Sequence, residues 1–313
     1  MPREILLAAA AGLAGGTLYT ALLTGSVGGI MFAYLSQVPL FLVGLGLGLL
    51  PALIAGGVAT LLVAVAGDAL AALLFVLTSV GPLVVLVRQA LLNRPTGAGR
   101  TEWYPPGLLV AWMAGIAAVG IVLSGFLLLD HPEGYEGAVR AMLQAAMGAM
   151  APAGVRPENV EHFAGQLAGV FPGLVAVSWM LMMAVNGSLA QGLLVGLGRN
   201  LRPSPAMALI ELPAWLLYAF GLSALVAVAV GGSVGYIARN LAIALTVPFF
   251  FQGLAVVHAV ANRWAARTFA LFMFYLVLIV LGWPAVLVTA IGLAEPFLRL
   301  RVRYGRPRAP EEE

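Results

Sequence analysis

Long unbroken apolar runs alternate with short polar or Gly/Pro-rich joints along this chain. Runs at 4–24, 29–49, 51–66, 69–91, 107–129, 171–197, 213–231 and 236–261 approach the length of about 20 residues that a spanning helix needs. The apolar character is continuous within each run. Barrel strands would instead alternate apolar and polar over about ten residues. A further apolar stretch, 267–299, is cut by Gly282-Trp283-Pro284. It predicts two short crossings, about 267–282 and 284–300, or a re-entrant hairpin. The pattern therefore predicts an all-α, polytopic transmembrane helical bundle of eight to ten spans.

The longest polar segment, 130–168, is itself patterned. Tyr135, Val139, Met142, Leu143, Ala146, Met147 and Met150 fall on one helical face, with Glu136, Arg140 and Gln144 elsewhere. After Pro157, which suits a first helical position, Val160, Phe163, Leu167 and Val170 repeat the pattern. Two amphipathic helices on the outer side are expected, packed at the membrane surface or forming a lid over an outward-facing cavity. The division that follows is 1–91, a four-span half; 92–106 (NRPTGAGRTEWYPPG), a polar linker; 107–300, a second membrane half that includes 130–168; and 301–313, a polar tail.

Composition narrows the class. Of 313 residues, 62% are hydrophobic and 9% charged, against about 25% charged in a soluble domain. A water-soluble fold could not hide this much apolar surface. The net charge of +3 points to orientation rather than nucleic acid. Arg88, Arg94 and Arg100, then Arg199 and Arg202, then Arg263 and Arg267, then Arg299, Arg301, Arg303, Arg306 and Arg308 form four groups. The positive-inside rule makes all four cytoplasmic, together with the N-terminus near Arg3, and leaves 130–168 outside. The segment MPREILLAAAAGLAGG mimics a signal peptide, but apolar character continues to Leu23, so it is expected to persist as a first span. Cysteine is absent, and His occurs only at 131, 162 and 258, so neither a metal centre nor a cofactor is expected.

Several residues stand out against this background. Gly12 with Gly16, Gly44 with Gly48, and Gly192 with Gly196 are four apart, a spacing that lets helix backbones approach closely. Pro39 removes a backbone donor and disfavours helix at Val38. The carbonyls it frees must be buried or wet, and Gln37 adds a polar side chain beside them. The stretch SQVPL is therefore expected to interrupt the second span next to a ligand cavity. Trp179, Met183, Asn186 and Ala190 share one helix face, where Asn186 either glues helices together or contacts a ligand against Trp179. Arg239 and Asn240, near the outer end of a span, suit an anionic ligand or lipid phosphates. Asp68 is placed as a helix cap. His258 is placed as a buried, hydrogen-bonded residue. No nucleophile–base–acid set and no phosphate loop occurs. No catalytic residue is assigned, and the chain is not expected to be an enzyme.

Two resemblances bear on function. The order Val38-Pro39, Gly44-x-x-x-Gly48, Pro51 and Gly56-Gly57 resembles the N-terminal region of the substrate-capture (S) components of energy-coupling-factor transporters. Over most of its length the chain resembles the YybS-like family of uncharacterised bacterial membrane proteins. That likeness rests on Trp103-Tyr104-Pro105-Pro106-Gly107, Asn186 to Gln191 (NGSLAQ), Arg199-Asn200-Leu201-Arg202-Pro203, Leu212-Pro213-Ala214-Trp215 and Gly253 to His258. The family resemblance implies a bacterial inner-membrane location and no established activity. The S-component resemblance implies transport, a bound small molecule, and a membrane-protein partner docked on the small-residue face of the first helix. Two functions are thus expected to compete. One is a protein of the bilayer that binds a small molecule or lipid in an S-component-like cavity. The other is a scaffold or assembly factor acting through helix–helix contacts.

Overall fold

The structure is a computed structural model, and it describes residues 2–128, 130–150 and 156–304. Its elements are α1 (Pro2–Thr20), α2 (Val27–Leu35), α3 (Gln37–Leu47), α4 (Leu49–Ala66), α5 (Ala69–Phe75), α6 (Gly81–Ala90), β1 (Asn93–Thr96), β2 (Arg100–Trp103), α7 (Pro106–Leu127), α8 (Gly134–Met150), α9 (Pro157–Ala168), α10 (Phe171–Gly196), α11 (Trp215–Ala229), α12 (Gly232–Ala261), α13 (Arg267–Leu281), α14 (Pro284–Leu298) and α15 (Leu300–Tyr304). A helix satisfies its backbone hydrogen bonds within one segment, which is what a solvent without water demands. Seven helical segments among the described residues are long and apolar enough to cross a membrane, the longest being Gly232–Ala261. The stretch expected to span at 213–231 forms only the 15-residue α11, about 22 Å long. Pro213 and the Gly231-Gly232 pair limit it. The tail residues 305–313 and the side chain of Met150 lie outside the described residues.

Contacts divide the chain into two compact units: Met1–Met113 with Met180–Ala206, and Ala114–Trp179 with Met207–Glu313. Helices α7 and α10 each contribute to both, so the packing does not follow the sequence halves on either side of 92–106.

In the first unit, glycine lets helices close on one another. A Cβ at Gly12 would lie 2.5 Å from the Ala55 carbonyl oxygen, and one at Gly16 would lie 2.9 Å from Leu62. The Gly12/Gly16 face of α1 is therefore filled by α4, inside the protein, and does not offer the external docking face that the S-component resemblance implies. Gly44 meets Val87 in the same way. Gly48 does something else. It lies between α3 and α4 with φ 106° and ψ −173°, a region that essentially only glycine occupies. It ends a helix instead of sharing a face with Gly44. Around Gly192 and Gly196 there is open space, so among the described residues no helix packs against these two. The fourth span, α5 to α6, passes through a π-helical turn at Val76–Val80 just before Pro82, whose missing N–H perturbs the ladder there. Asp68 caps α5, accepting from Ala71 N at 2.7 Å. The polar segment read as a linker is an ordered antiparallel hairpin, with Arg94 opposite Glu102.

In the second unit, α12 is the axis. At 30 residues it is about 45 Å long. Gly253 sits on the Val288 carbonyl and Gly292 on the Phe249 carbonyl, so α14 lies tightly against it. Helix α13 has no buried residue and is tied to α12 by a 2.8 Å hydrogen bond between His258 and the Tyr275 hydroxyl. The pair α13–α14 is bent by 118° at Gly282, where φ is +69°. The bend returns the chain: Arg263 donates to the Tyr304 carbonyl at 3.2 Å, and Arg301 donates to the Ile210 carbonyl at 2.7 Å. Residues 207–210, 263 and 299–304 thus gather at one end of α12. Helices α8 and α9 pack at its other end around Tyr135, Val139, Leu143, Ala164, Ala168 and Tyr236. Met142 and Phe163, expected on the apolar face, are exposed, because that face is narrow enough to be covered by Tyr236 and its neighbours.

Candidate functional site

Two places collect polar groups that the packing leaves exposed or unsatisfied. The first is the break in the second span, within the first unit. Pro39 is the third residue of α3, where a helix has no intrahelical partner for an N–H in any case. The chain therefore restarts its helix at Gln37 and keeps Val38 helical. The interruption falls one residue earlier, at the turn residue Ser36. Ser36, Gln37 and Asn186 are each 1% exposed. Asn186 Nδ2 donates to the Tyr34 carbonyl at 2.7 Å and to the Met182 carbonyl at 2.7 Å. The first of these satisfies a carbonyl at the break. Both atoms of the Gln37 amide, Ser36 Oγ and Asn186 Oδ1 have no hydrogen-bond partner. Buried polar groups are overwhelmingly paired, so four orphans at one break are an anomaly. Trp179 lies seven residues before Asn186 on α10, about 20° away around the helix, but it belongs to the second unit.

The second place is a cleft of about 500 Å³ in the second unit, a size typical of ligand sites. The first turn of α8 and the first turn of α12 form its walls, through Gly134 and Gly137 on one side and Gly231, Gly232 and Ser233 on the other. Glycine suits these walls because Gly134 and Gly232 have φ of +66° and +64°. The start of α12 has no side-chain cap, so its first N–H groups remain available and carry the positive end of the dipole. Glu133, Glu136, Arg140 and Arg239 supply charge. Glu136 and Arg140 approach to 3.7 Å, and Arg140 Nε has no partner. Arg239 makes a 3.5 Å contact with the Gly169 carbonyl, and its guanidinium lies 6.0 Å from the centre of the Tyr236 ring. The floor is rigid. Tyr135 and Tyr236 stack edge to face at 4.9 Å, Tyr135 shares a 2.5 Å hydrogen bond with Ser124, and Tyr236 donates to the Ala168 carbonyl at 2.6 Å. Burial raises the Tyr135 hydroxyl above its ordinary pKa and keeps it neutral.

Asn240, expected as a ligand contact beside Arg239, is fully buried and fully occupied. Its Oδ1 accepts from Gly173 N at 2.8 Å, while Nδ2 donates to the Tyr236 carbonyl at 2.9 Å and the Gly169 carbonyl at 3.4 Å. It splices the end of α9 to the start of α10 and has nothing left for a ligand. The structure thus brings Gln37 and Asn186 to one locus and Arg239 to another. Sequence reasoning missed Glu133, Arg140, Ser233 and Ser36. The Gly231-Gly232-Ser233 run preceding a span was a signal for the cleft, since it marks an uncapped helix start.

The fold and these sites define a polytopic α-helical membrane protein whose helices contact the lipid bilayer. The family model described as Predicted membrane protein (DUF2232) matches residues 17–295, and the chain belongs to that family. No curated protein and no solved structure matches it, so the likeness to S components gains no support.

Proposed function

We propose that the protein is a non-catalytic binder of a small molecule or lipid headgroup, and that the cleft at the starts of α8 and α12 holds the ligand. The observation that carries this reading is the cleft's lining, which combines two acids and two bases over about 500 Å³ with two helix N-termini. A helix N-terminus favours an anionic group, and Arg239 stands beside it with a weak partner. Glu133 then suits a cation on the same ligand. The chemistry is that of a zwitterion carrying a phosphate or carboxylate and an amine. With the Arg-rich joints cytoplasmic, the cleft faces outward in the bacterial inner membrane, and α8 with α9 forms a lid beside it.

The test is native mass spectrometry of the protein in nanodiscs that mix phosphatidylethanolamine with phosphatidylglycerol. Retention of phosphatidylethanolamine in preference, weakened at least about tenfold by Arg239→Gln and by Glu133→Gln, is expected. Retention of both lipids alike, unchanged in both variants, would refute the assignment. One observation favours the scaffold alternative: Gly192 and Gly196 lie on an exposed, open stretch of α10. Loss of a co-purifying membrane protein on Gly192→Leu, with lipid binding intact, would move that reading ahead.

A further inference from the structure

The break at Ser36 lies in the other compact unit and has no part in the cleft. We propose that it is a second binding site, for an uncharged molecule that presents an N–H donor and a C=O acceptor side by side, as an amide, lactam or imide edge does. The argument starts from the unpaired atoms. Asn186 Nδ2 faces two carbonyl oxygens, Tyr34 and Met182, both at 2.7 Å. Only a donor fits there, so the orientation of the amide follows from its partners, and Oδ1 is the atom left without one. Gln37 offers a donor and an acceptor on one planar group, both unpaired, and Ser36 adds a hydroxyl. All three residues are 1% exposed. Bulk water does not satisfy them, and each unmet group at membrane depth is costly.

The chemistry of the orphans selects among occupants. A metal cation would satisfy Gln37 Oε1 and Asn186 Oδ1 but would leave Gln37 Nε2 unpaired, since an amide N–H cannot ligate a cation. An ionised ligand would enter a locus whose polar side chains are all uncharged, with no counter-charge to offset its desolvation. A neutral donor–acceptor edge matches the Gln37 amide in two hydrogen bonds, and a further N–H serves Asn186 Oδ1. The surroundings are apolar and close. Leu40 and Phe41 are buried on the same helix. Gly15 brings α1 against the Ser36 carbonyl, where a Cβ would stand 2.7 Å away, and Gly187 faces the Phe41 ring at 3.8 Å.

The probe is 5-fluoro-2-pyridone, a small neutral lactam followed by its own fluorine resonance, added to the full-length protein in nanodiscs. Its N-methyl derivative, which lacks the donor, is the control. Binding of the pyridone at least about tenfold tighter than that of the N-methyl form, abolished in Gln37→Leu but retained in Arg239→Gln, is the expected result. Gln37→Leu should hold or raise the melting temperature, because it removes two orphaned atoms. Should that variant not fold, Ser36→Ala must weaken pyridone binding severalfold. Equal binding of the two probes would overturn the donor–acceptor assignment and leave the cleft reading standing. Stabilisation by sodium chloride that depends on Gln37, with no pyridone binding, would make this a cation site and overturn the proposal. Binding of neither, with Gln37→Leu merely more stable, would reduce the locus to a buried amide. Failure of the cleft reading shows instead in the lipid measurement and its Arg239 dependence, so the two are separable.

Discussion

Replacing Arg301 by Ala tests the architecture of the second unit most directly, because this side chain closes the chain's return. Arg301 Nε meets Glu295 Oε1 at 2.9 Å, with side chains 17% and 6% exposed. Its Nη1 also donates to the Ile210 carbonyl at 2.7 Å. Glu295 in turn accepts from Leu300 N at 2.7 Å and so satisfies an N–H at the start of α15, which has no helical partner. Arg301→Ala removes the countercharge of a buried carboxylate, which keeps the backbone N–H donors at 300 and 301, and leaves the Ile210 carbonyl without that donor. Removing one partner of a buried pair costs about 3–5 kcal/mol. The residual exposure of Arg301 puts this case near the lower end, about 3 kcal/mol. Glu295→Gln is milder. It keeps an acceptor for Leu300 N, and Arg301 keeps its carbonyl, so the expected loss is about 1–2 kcal/mol. Once Arg301 is gone, the change at Glu295 has less to remove. The double variant should therefore fall short of the sum by about 1–2 kcal/mol. Reversible unfolding in mixed detergent, run on the four proteins of the cycle, measures this. Additivity within about 0.5 kcal/mol, or a loss under that size for Arg301→Ala, would refute the reasoning and detach the last turn from the 207–210 segment.

Gly12→Leu should destabilise by about 1–3 kcal/mol or more, since the added side chain meets the Ala55 backbone, while Leu13→Ala, at a position 52% exposed, should change little; equal, minor effects would place this face against lipid. The hairpin pair gives a pH test. Arg94 holds the Glu102 carboxyl below its ordinary pKa, so its contribution is present above the unfolded-state value and lost as pH falls through the lower folded-state value. Protection of the amides at residues 93–103, corrected for the intrinsic pH dependence of exchange, should fall only on that acid side and lose its pH step in Glu102→Gln, and a step near neutral pH would contradict it. Single cysteines are clean probes because the chain has no native Cys: Met207→Cys and Tyr304→Cys should label from one side of the membrane and Ser233→Cys from the other, whereas labelling of 207 and 304 from opposite sides would dismantle the return through α13 and α14.

The sequence was legible where one physical rule decides alone. Spanning helices follow from apolar length, and the helices at 134–150 and 157–168 follow from their 3.6-residue period. The interruption near Pro39 follows from a missing donor. Legibility failed where a residue's role depends on what comes to face it. Gly44 and Gly48 have the same spacing as Gly12 and Gly16, yet Gly48 turns the chain, and no spacing rule reveals a φ of 106°. Asn240 beside Arg239 looked like half of an anion site. Its occupation by Gly173, Gly169 and Tyr236 depends on a chain reversal about 70 residues upstream, which a local reading cannot see. The cleft was invisible for a similar reason: its two walls begin nearly 100 residues apart in sequence, at Gly134 and Gly232.

The stretches that carried the family resemblance bear on where function should be sought. Three of them meet at Arg202. Its Nη1 donates to the Ala90 carbonyl at 2.9 Å and its Nη2 to the Tyr104 carbonyl at 3.3 Å. Its guanidinium lies 5.9 Å from the Trp103 ring. Its own carbonyl accepts from Gln191 at 2.8 Å and from Asn200 at 2.9 Å. Ala90 ends α6, so a cation there satisfies a C-terminal carbonyl and complements the negative end of the helix dipole. Burial pulls the guanidinium below its ordinary pKa, but no proton is lost from an arginine in a protein. The partners given to this cation are carbonyls and a ring face, none of them a carboxylate. Such an arrangement binds the hairpin, α6 and the end of α10 into one piece, with the guanidinium Nε left without a partner. Trp103-Tyr104, Gln191 of NGSLAQ, and Asn200 and Arg202 of RNLRP therefore serve the architecture of this unit. The two proposed binding sites accordingly lie elsewhere, at the unpaired atoms of Ser36, Gln37 and Asn186 at the helix break and at the charged lining of the cleft, Glu133 and Arg239 among it.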